Sequence, residues 1–367
     1  MNDNHSPAGP LVGVRVLELA GLGPTPFAAM MLADLGASVL RIDRTGGPAV
    51  SAGDSRLDTL NRSRPSLALD LKSPEAMATI AALVARADVL IEGYRPGVAE
   101  RLGLGPDALH AINQRLVYAR MTGWGQTGPL ALKAGHDINY LALTGGLHMI
   151  GPGDRPPPPP LNLVGDFGGG GMFAVTGILA ALVERATSGK GQVIDCAMVD
   201  GATTLLAQAY AWRDMNFWTD DRGENLLDGG AYFYRCYETA DGGYLAVGAI
   251  EPQFHSAFIE GLGLDPADFD GQMDRRHWAA RAARIAEVVR SRTRDDWVAA
   301  FDPFDACVSP VLTPAEAPAY HANAARDVFI GGAPAAAPRF DRTPGRTGKP
   351  TLSGEGGANA LGEWGVD

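Results

Sequence analysis

Apolar positions in the first half of the chain switch repeatedly between two periods. Val12 to Leu19 alternates and leads into Gly21-Leu-Gly-Pro, Pro26 to Leu35 carries helical spacing, and Ala37 to Ile42 is β-branched and apolar, which predicts a β-α-β unit. The pattern recurs. Ser66 to Leu71 reads as a strand, Ser73 as the cap of a helix with Pro74 first and Glu75 next, and Asp88 to Glu92 and Leu116 to Thr122 as further short buried strands. Strands alternating with helices predict an α/β fold on a doubly wound, largely parallel sheet.

Five consecutive prolines within Gly151 to Pro160 exclude helix and central strand, so this stretch is expected to be an exposed loop or polyproline II segment. Asp166 follows, and the four glycines Gly168 to Gly171 are expected to open a long helix to Arg185. Gly189-Lys-Gly-Gln then turns the chain into a strand, Val193 to Ala197. A second unit begins after Asn225: Tyr232 to Thr239, the turn Asp241-Gly-Gly and Tyr244 to Ala249 predict a β-hairpin. Phe254 to Leu262 and Trp278 to Arg292 have helical spacing, and Gly331 to Pro350 reads as a surface-wrapping tail.

Composition narrows the function classes. With 367 residues, 46% hydrophobic and 20% charged, the chain can bury a sizeable core, and its length favours two domains. A net charge of −11 without a basic tract argues against a nucleic-acid partner and against an anionic membrane surface, so an anionic ligand needs a local cationic pocket. Cys196, Cys236 and Cys307 form no Cys-x-x-Cys pair and read as reduced, mostly buried thiols. Met1 to Pro10 lacks the basic and apolar regions of a secretory signal. Gly168 to Val183 falls short of the ~20 residues that span a bilayer and reads as a core helix. The final Trp364-Gly-Val-Asp is not a peroxisomal address. The expectation is a cytoplasmic chain without membrane insertion.

Chemistry concentrates in few places. His136 stands in Gly135-His-Asp-Ile-Asn-Tyr140, where a glycine allows close approach and Asp137 is placed to cap a helix whose first N–H groups face developing negative charge. A plain capping box with a partly exposed histidine fits the same pattern. Asp166, before Phe167 and the glycines, is a carboxylate beside bare backbone that suits ligand packing, or simply a helix cap. Glu251 lies after the apolar strand Tyr244 to Ile250, in Ala249-Ile-Glu-Pro-Gln-Phe254, and its ordinary reading is an acid near a helix start. For anionic groups, Arg41, Arg44, Arg62, Arg64 and Arg95 lie at strand ends or in adjoining loops, where doubly wound sheets bind ligands; scattered surface arginines are the ordinary alternative. Pro26 replaces the third glycine of Gly-x-Gly-x-x-Gly, which leaves nicotinamide binding weakly supported.

These motifs, in this order, resemble the α-methylacyl-CoA racemases of the family III CoA-transferase superfamily. The likeness runs from about Val12 to Pro344. It rests on the His136 motif, Leu161-Asn-Leu-Val-Gly-Asp-Phe followed by four glycines, Gly189-Lys-Gly-Gln-Val-Ile-Asp, Leu227-Asp-Gly-Gly-Ala, Thr239-Ala-Asp-Gly-Gly-Tyr with Gly248-Ala-Ile-Glu-Pro-Gln-Phe, and Asp305-Ala-Cys-Val-Ser-Pro-Val. It implies a Rossmann-like large domain, a smaller central α+β domain and an interlocked homodimer. Residues 1–205 would begin the large domain, 206–228 link, 229–325 form the small domain, and 326–367 return to the large one. It further implies that His136 and Asp166 are the two catalytic bases and Glu251 the partner of the histidine, contributed across the dimer, while Arg41, Asn61, Arg62, Arg64 and Arg95, with Gly135 and Tyr140, bind the CoA part of a 2-methyl-branched acyl-CoA. No separate cofactor or metal is implied.

The chain departs from the resemblance at Asn61-Arg-Ser-Arg-Pro-Ser66, where relatives often read Asn-Arg-Gly-Lys-Arg-Ser, and at Tyr232, where proline is common. The implied reaction moves a thioester α-proton between two bases on opposite faces of the carbon, through an enolate held by backbone donors such as the Asp137 N–H. Met149, Met172 and Met198 are acyl-chain contacts or core filler. Three rival readings stand beside it: a CoA transferase using Asp166 as nucleophile, a non-catalytic acyl-CoA binder, and, last, a nicotinamide dehydrogenase.

Overall fold

The computed structural model describes residues 8–46 and 55–366, so the polar start up to Pro7 lies outside it. The chain divides into two compact units. Met1–Thr144, Leu161–Leu205 and Asp327–Asp367 make the first; Gly145–Pro160 and Leu206–Arg326 make the second.

The first unit holds a six-stranded parallel sheet. Its strands are β1 (Arg15–Leu19), β2 (Ser38–Arg44), β3 (Ser66–Leu69), β4 (Val89–Glu92), β5 (Val117–Thr122) and β6 (Val193–Ala197), in the order β3-β2-β1-β4-β5-β6. Alternation divides the side chains between two faces. Val16, Val39, Val89 and Val117 meet α1 (Pro24–Asp34) through Ala28 and Leu32. Leu17, Leu40, Leu90 and Tyr118 meet α2 (Pro74–Val84) through Ile80 and Leu83. Every residue of β4 and β5 is buried, including Glu92 and Arg120, which pair with each other at 3.1 Å. Ser73 accepts from Ala76 N–H and Pro74 opens α2, as its sequence predicts. Short helices α3 (Val98–Arg101) and α4 (Pro106–Ile112) connect β4 to β5.

After β5 come α5 (Asp137–Leu143), a π-helical segment Leu163–Met172, α6 (Phe173–Ser188) and, past β6, α7 (Met198–Leu205). Two expectations change here. The four glycines do not open an α-helix but lie inside the π-helical segment. The combined run Leu163–Ser188 has 26 residues, long and apolar enough by length and composition to cross a membrane, not short of it. Its Ala174, Val175, Ile178 and Ala181 are buried in the cluster that covers the sheet, as in a doubly wound core.

The second unit packs α8 (Ala207–Asp214), α9 (Pro252–Gly261), α10 (Trp278–Val289), α11 (Arg294–Phe301) and α12 (His321–Ala325) with a three-stranded antiparallel sheet. Its strands β7 (Tyr234–Glu238), β8 (Tyr244–Gly248) and β9 (Val308–Pro310) surround an aromatic core that includes Phe233, Phe258, Trp278 and Trp297. Residues 206–228 are not a free linker: the fully buried Asn225 donates to the carbonyls of Thr219 (3.1 Å) and Asp221 (3.2 Å). Arg222 donates to Pro152 O (3.0 Å) and Arg155 O (2.6 Å), which ties the exposed proline loop to this unit, not to the first.

From Asp327 the chain returns to the first unit. A small hairpin, β10 (Phe329–Ile330) with β11 (Ala333–Pro334), leads to α13 (Gly357–Trp364), whose Trp364 indole donates to Ser38 Oγ at 3.0 Å. The cysteine expectation fails for two of three: Cys196 is buried, but Cys236 and Cys307 are exposed on the second unit's sheet region.

Candidate active site

Strand order reverses between β1 and β4, and parallel sheets bind ligands outside the carboxyl ends of the strands at such a point. A cleft of about 580 Å³ lies there. Its walls are the turn after β1 (Ala20 to Thr25), the turn after β4 (Gly93 to Pro96) and the end of β5 (Met121 to Trp124), together with His136, Tyr140, Asp166 and Met198. Two titratable groups placed 30 residues apart in sequence therefore face one space. A larger cleft of about 1,020 Å³ lies wholly in the second unit, between the proline loop and the sheet; His136 and Asp166 do not line it.

His136 is the N-cap residue of α5 and is exposed to the cleft. The side chain of Asn139 accepts from His136 N–H at 3.1 Å, so the amide of Asn139 closes the cap. Asp137 is not the cap. It is buried, and its Oδ2 accepts from the backbone N–H of Asp166 at 2.6 Å. This bond fastens the start of α5 to the π-helical segment. Gly165 permits it, because a Cβ there would stand 2.6 Å from the same oxygen.

Asp166 is half-buried. Burial, and then the neighbouring Asp137 carboxylate, push its carboxyl above the usual carboxylate range, against a hydrogen bond from Asn162 and the pull of His136. Its Oδ2 lies against the β1–α1 turn, where a Cβ on Gly23 would come within 3.0 Å and where the backbone is left-handed, φ 61°. Phe167 stacks on Phe27 with centroids 4.4 Å apart, which fixes the segment carrying the carboxylate.

The following glycines serve packing, not ligand approach. Added Cβ atoms on Gly169, Gly170 and Gly171 would meet Ala202 N (2.5 Å), Met198 Cγ (2.9 Å) and Phe27 Cδ1 (2.5 Å). Gly135 is likewise covered, by Tyr140 and Trp124, whose rings meet edge to face at 4.8 Å; the Tyr140 hydroxyl donates to Gly135 O. Tyr140 thus shapes the loop that presents His136.

The proposed phosphate contacts divide sharply. Arg95 lines the cleft and is exposed. Arg62 and Arg64 do not serve as free cations. Arg62 grips Asp34 (Nη2 at 2.5 Å, Nε at 3.1 Å), and the fully buried Arg64 lies 3.0 Å from Glu18 and donates to Pro26 O. A charge this deep needs its internal partner. Arg41 is 5% exposed and bound to Asp43 at 2.9 Å, and Asn61 donates to Asp58 at 2.9 Å. Arg44 is exposed at the end of β2. The sequence reading missed Lys133, an exposed cleft cation whose only signal was its place three residues before His136.

Glu251 is the exposed N-cap of α9 in the second unit, and its side chain does not cap the helix. Of the methionines, Met198 lines the cleft, Met172 is 42% exposed, and Met149 lines a small cavity of the second unit. Among the described residues no cluster of His, Cys, Asp and Glu is arranged to hold a metal.

The family model for CoA-transferase family III matches residues 11–355. The α-methylacyl-CoA racemase of Mus musculus is 48% identical over 339 residues, 91% of this chain and 87% of that protein. The succinyl-CoA:glutarate CoA-transferase of Mus musculus is 31% identical, over 80% of this chain and 70% of that one. Among solved structures, a CaiB/BaiF family protein from Brucella suis superposes with a TM-score of 0.80 at 29% identity, covering 97% of this chain and all of the other.

Proposed function

The chain belongs to CoA-transferase family III, and on that premise we propose that it is a racemase of 2-methylacyl-CoA thioesters, like the racemases it resembles at 47–48% identity. The observation that carries the reading is the placing of His136 and Asp166 on one cleft at the sheet's switch point.

Racemisation needs a proton taken from one face of the α-carbon and returned on the other. A neutral imidazole removes it in one direction while a protonated carboxylic acid supplies one from the opposite side, and the reverse reaction exchanges the roles. The raised pKa of Asp166 favours the form that can donate. Charge developing on the thioester oxygen is received by the Asp137 N–H at the first residue of α5. Removing such a donor typically costs ~10²-fold in rate. Arg95 and Lys133 attract the anionic CoA portion. Glu251, supplied by the second unit of a partner copy in an interlocked homodimer, accepts from the second nitrogen of His136 and fixes its tautomer. The reaction needs no further cofactor.

A transferase would instead use an ionised Asp166 to attack the thioester carbonyl. The same burial that helps an acid hinders a nucleophilic carboxylate, so this reading is second. Incubating one enantiomer of a 2-methylacyl-CoA in D₂O separates them. The racemase gives inverted product carrying α-deuterium; labelled CoA moving to a free acid without α-exchange would establish transfer.

A further inference from the structure

We propose that Gln272 is a positioning residue for Glu251: its side-chain amide fixes the two peptide carbonyls that immediately precede the glutamate. The inference rests on the role given above to Glu251 as partner of the histidine.

The chain leaves β8 at Gly248; Ala249 N–H donates to Phe233 O at 2.9 Å and Ile250 N–H to Gly248 O at 3.0 Å. The carbonyls of Ala249 and Ile250 then turn to one donor group. Gln272 Nε2 donates to Ala249 O at 3.1 Å and to Ile250 O at 2.8 Å. Two acceptors side by side require the NH₂ end of the amide there, and both its hydrogens are used. Glu251 follows, then Pro252, which has no N–H to offer. Within one chain the carboxylate of Glu251 makes no hydrogen bond or ion pair among the described residues, so what this chain holds is the backbone from which it projects.

The amide is itself anchored. The indole of Trp278, 4% exposed, donates to the backbone carbonyl of Gln272 at 2.8 Å. The Arg281 guanidinium donates to the carbonyls of Asp268 (3.3 Å), Asp270 (2.5 Å) and Gly271 (3.3 Å) while lying 5.5 Å above the rings of Tyr232 and Phe269. A continuous set of bonds therefore runs from the aromatic core through the 268–272 loop to the peptide before Glu251.

The test uses the full chain with Gln272→Met, which keeps length and volume but removes both donors, and Gln272→Glu, which sets oxygen against the two carbonyls. Each is measured alone and combined with Glu251→Gln, for kcat and KM of racemisation from both enantiomers, with circular dichroism to confirm folding. Gln272→Met is expected to lower kcat about tenfold to a hundredfold, the range that follows from misplacing a functional group by ~1 Å, with KM within about twofold of the parent. In the Glu251→Gln background it should add less than about twofold, because it acts through a carboxylate already removed. Gln272→Glu should lose at least as much and serves if the methionine variant does not fold. Undiminished kcat in Gln272→Met, a loss that persists in the Glu251→Gln background, or a loss carried by KM overturns the inference. Full activity in Glu251→Gln instead overturns the histidine-partner reading, and the positioning role with it.

Discussion

Gly201→Ala probes whether the close approach of α7 to the π-helical segment holds the carboxylate in place. A Cβ on Gly201 would stand 1.9 Å from the carbonyl oxygen of Gly169 and 2.7 Å from its carbon. Both atoms are backbone, so no side chain can swing aside. Ordinary contact begins near 3.4 Å, so the segments must part by about 1.5 Å. Overpacking of this kind costs about 1–3 kcal/mol, which lowers Tm by roughly 1–2 °C per kcal/mol in a chain of this length. Gly169 lies three residues beyond Asp166 on the same helical segment, and a shift of ~1 Å at a catalytic group costs on the order of 10²-fold in rate. Thermal unfolding followed by circular dichroism, with the racemisation rate measured well below Tm, reads both effects. Gly362→Ala is the control: it lies within α13, nothing stands within 4 Å of its added Cβ, and it should stabilise by up to about 1 kcal/mol without touching the rate. If Gly201→Ala matches the parent in both Tm and rate, the packing argument is refuted.

Further outcomes follow from other parts of the fold. Burial, and then Arg281, push the His255 imidazole down to about 4, and its Nε2 lies 2.7 Å from the Tyr232 hydroxyl. The unfolded chain takes up this proton near the ordinary value of 6.5, so stability present above pH 6.5 is lost as pH falls toward 4, by at most about 3 kcal/mol. Urea unfolding between pH 7 and 4.5 should show this loss, and His255→Gln should flatten it; an unchanged slope in that variant removes His255 as the cause. Arg62→Ala strands the buried Asp34 carboxylate and should destabilise by about 3–5 kcal/mol. Arg95→Ala, on the exposed wall of the cleft, should raise KM for the CoA thioester with little change in Tm. The reverse pattern in this pair of arginines would contradict the assignment of one to structure and the other to binding.

What the sequence reveals follows the range of the forces involved. Alternation and continuous apolar runs are local, so β1, β2, β4, β5 and the hairpin of β7 and β8 emerge from the pattern with boundaries shifted by a few residues. Side-chain partners are not local. Arg62 and Arg64 look like phosphate contacts because nothing near them in the chain announces Asp34 or Glu18. The four glycines look like an opening for ligand because the residues that press on them, Phe27 and Ala202, come from α1 and α7. Asp137 looks like a cap, whereas its hydrogen-bond partner is Asp166 N–H, 29 residues on. His136 and Asp166 are legible as chemistry-bearing residues, but their common cleft is a product of the sheet's strand order. Gln272 is hidden altogether: its two acceptors are 22 and 23 residues away.

The central claim, that two bases serve one α-carbon from opposite faces, is tested most directly by following α-hydrogen exchange in D₂O from each enantiomer separately in His136→Ala and Asp166→Asn. The account predicts that neither variant racemises, and that each keeps residual exchange only with the enantiomer served by its remaining base, so that the two variants have opposite preferences. Equal exchange from both enantiomers in either variant, or racemisation at the parent rate, would contradict it.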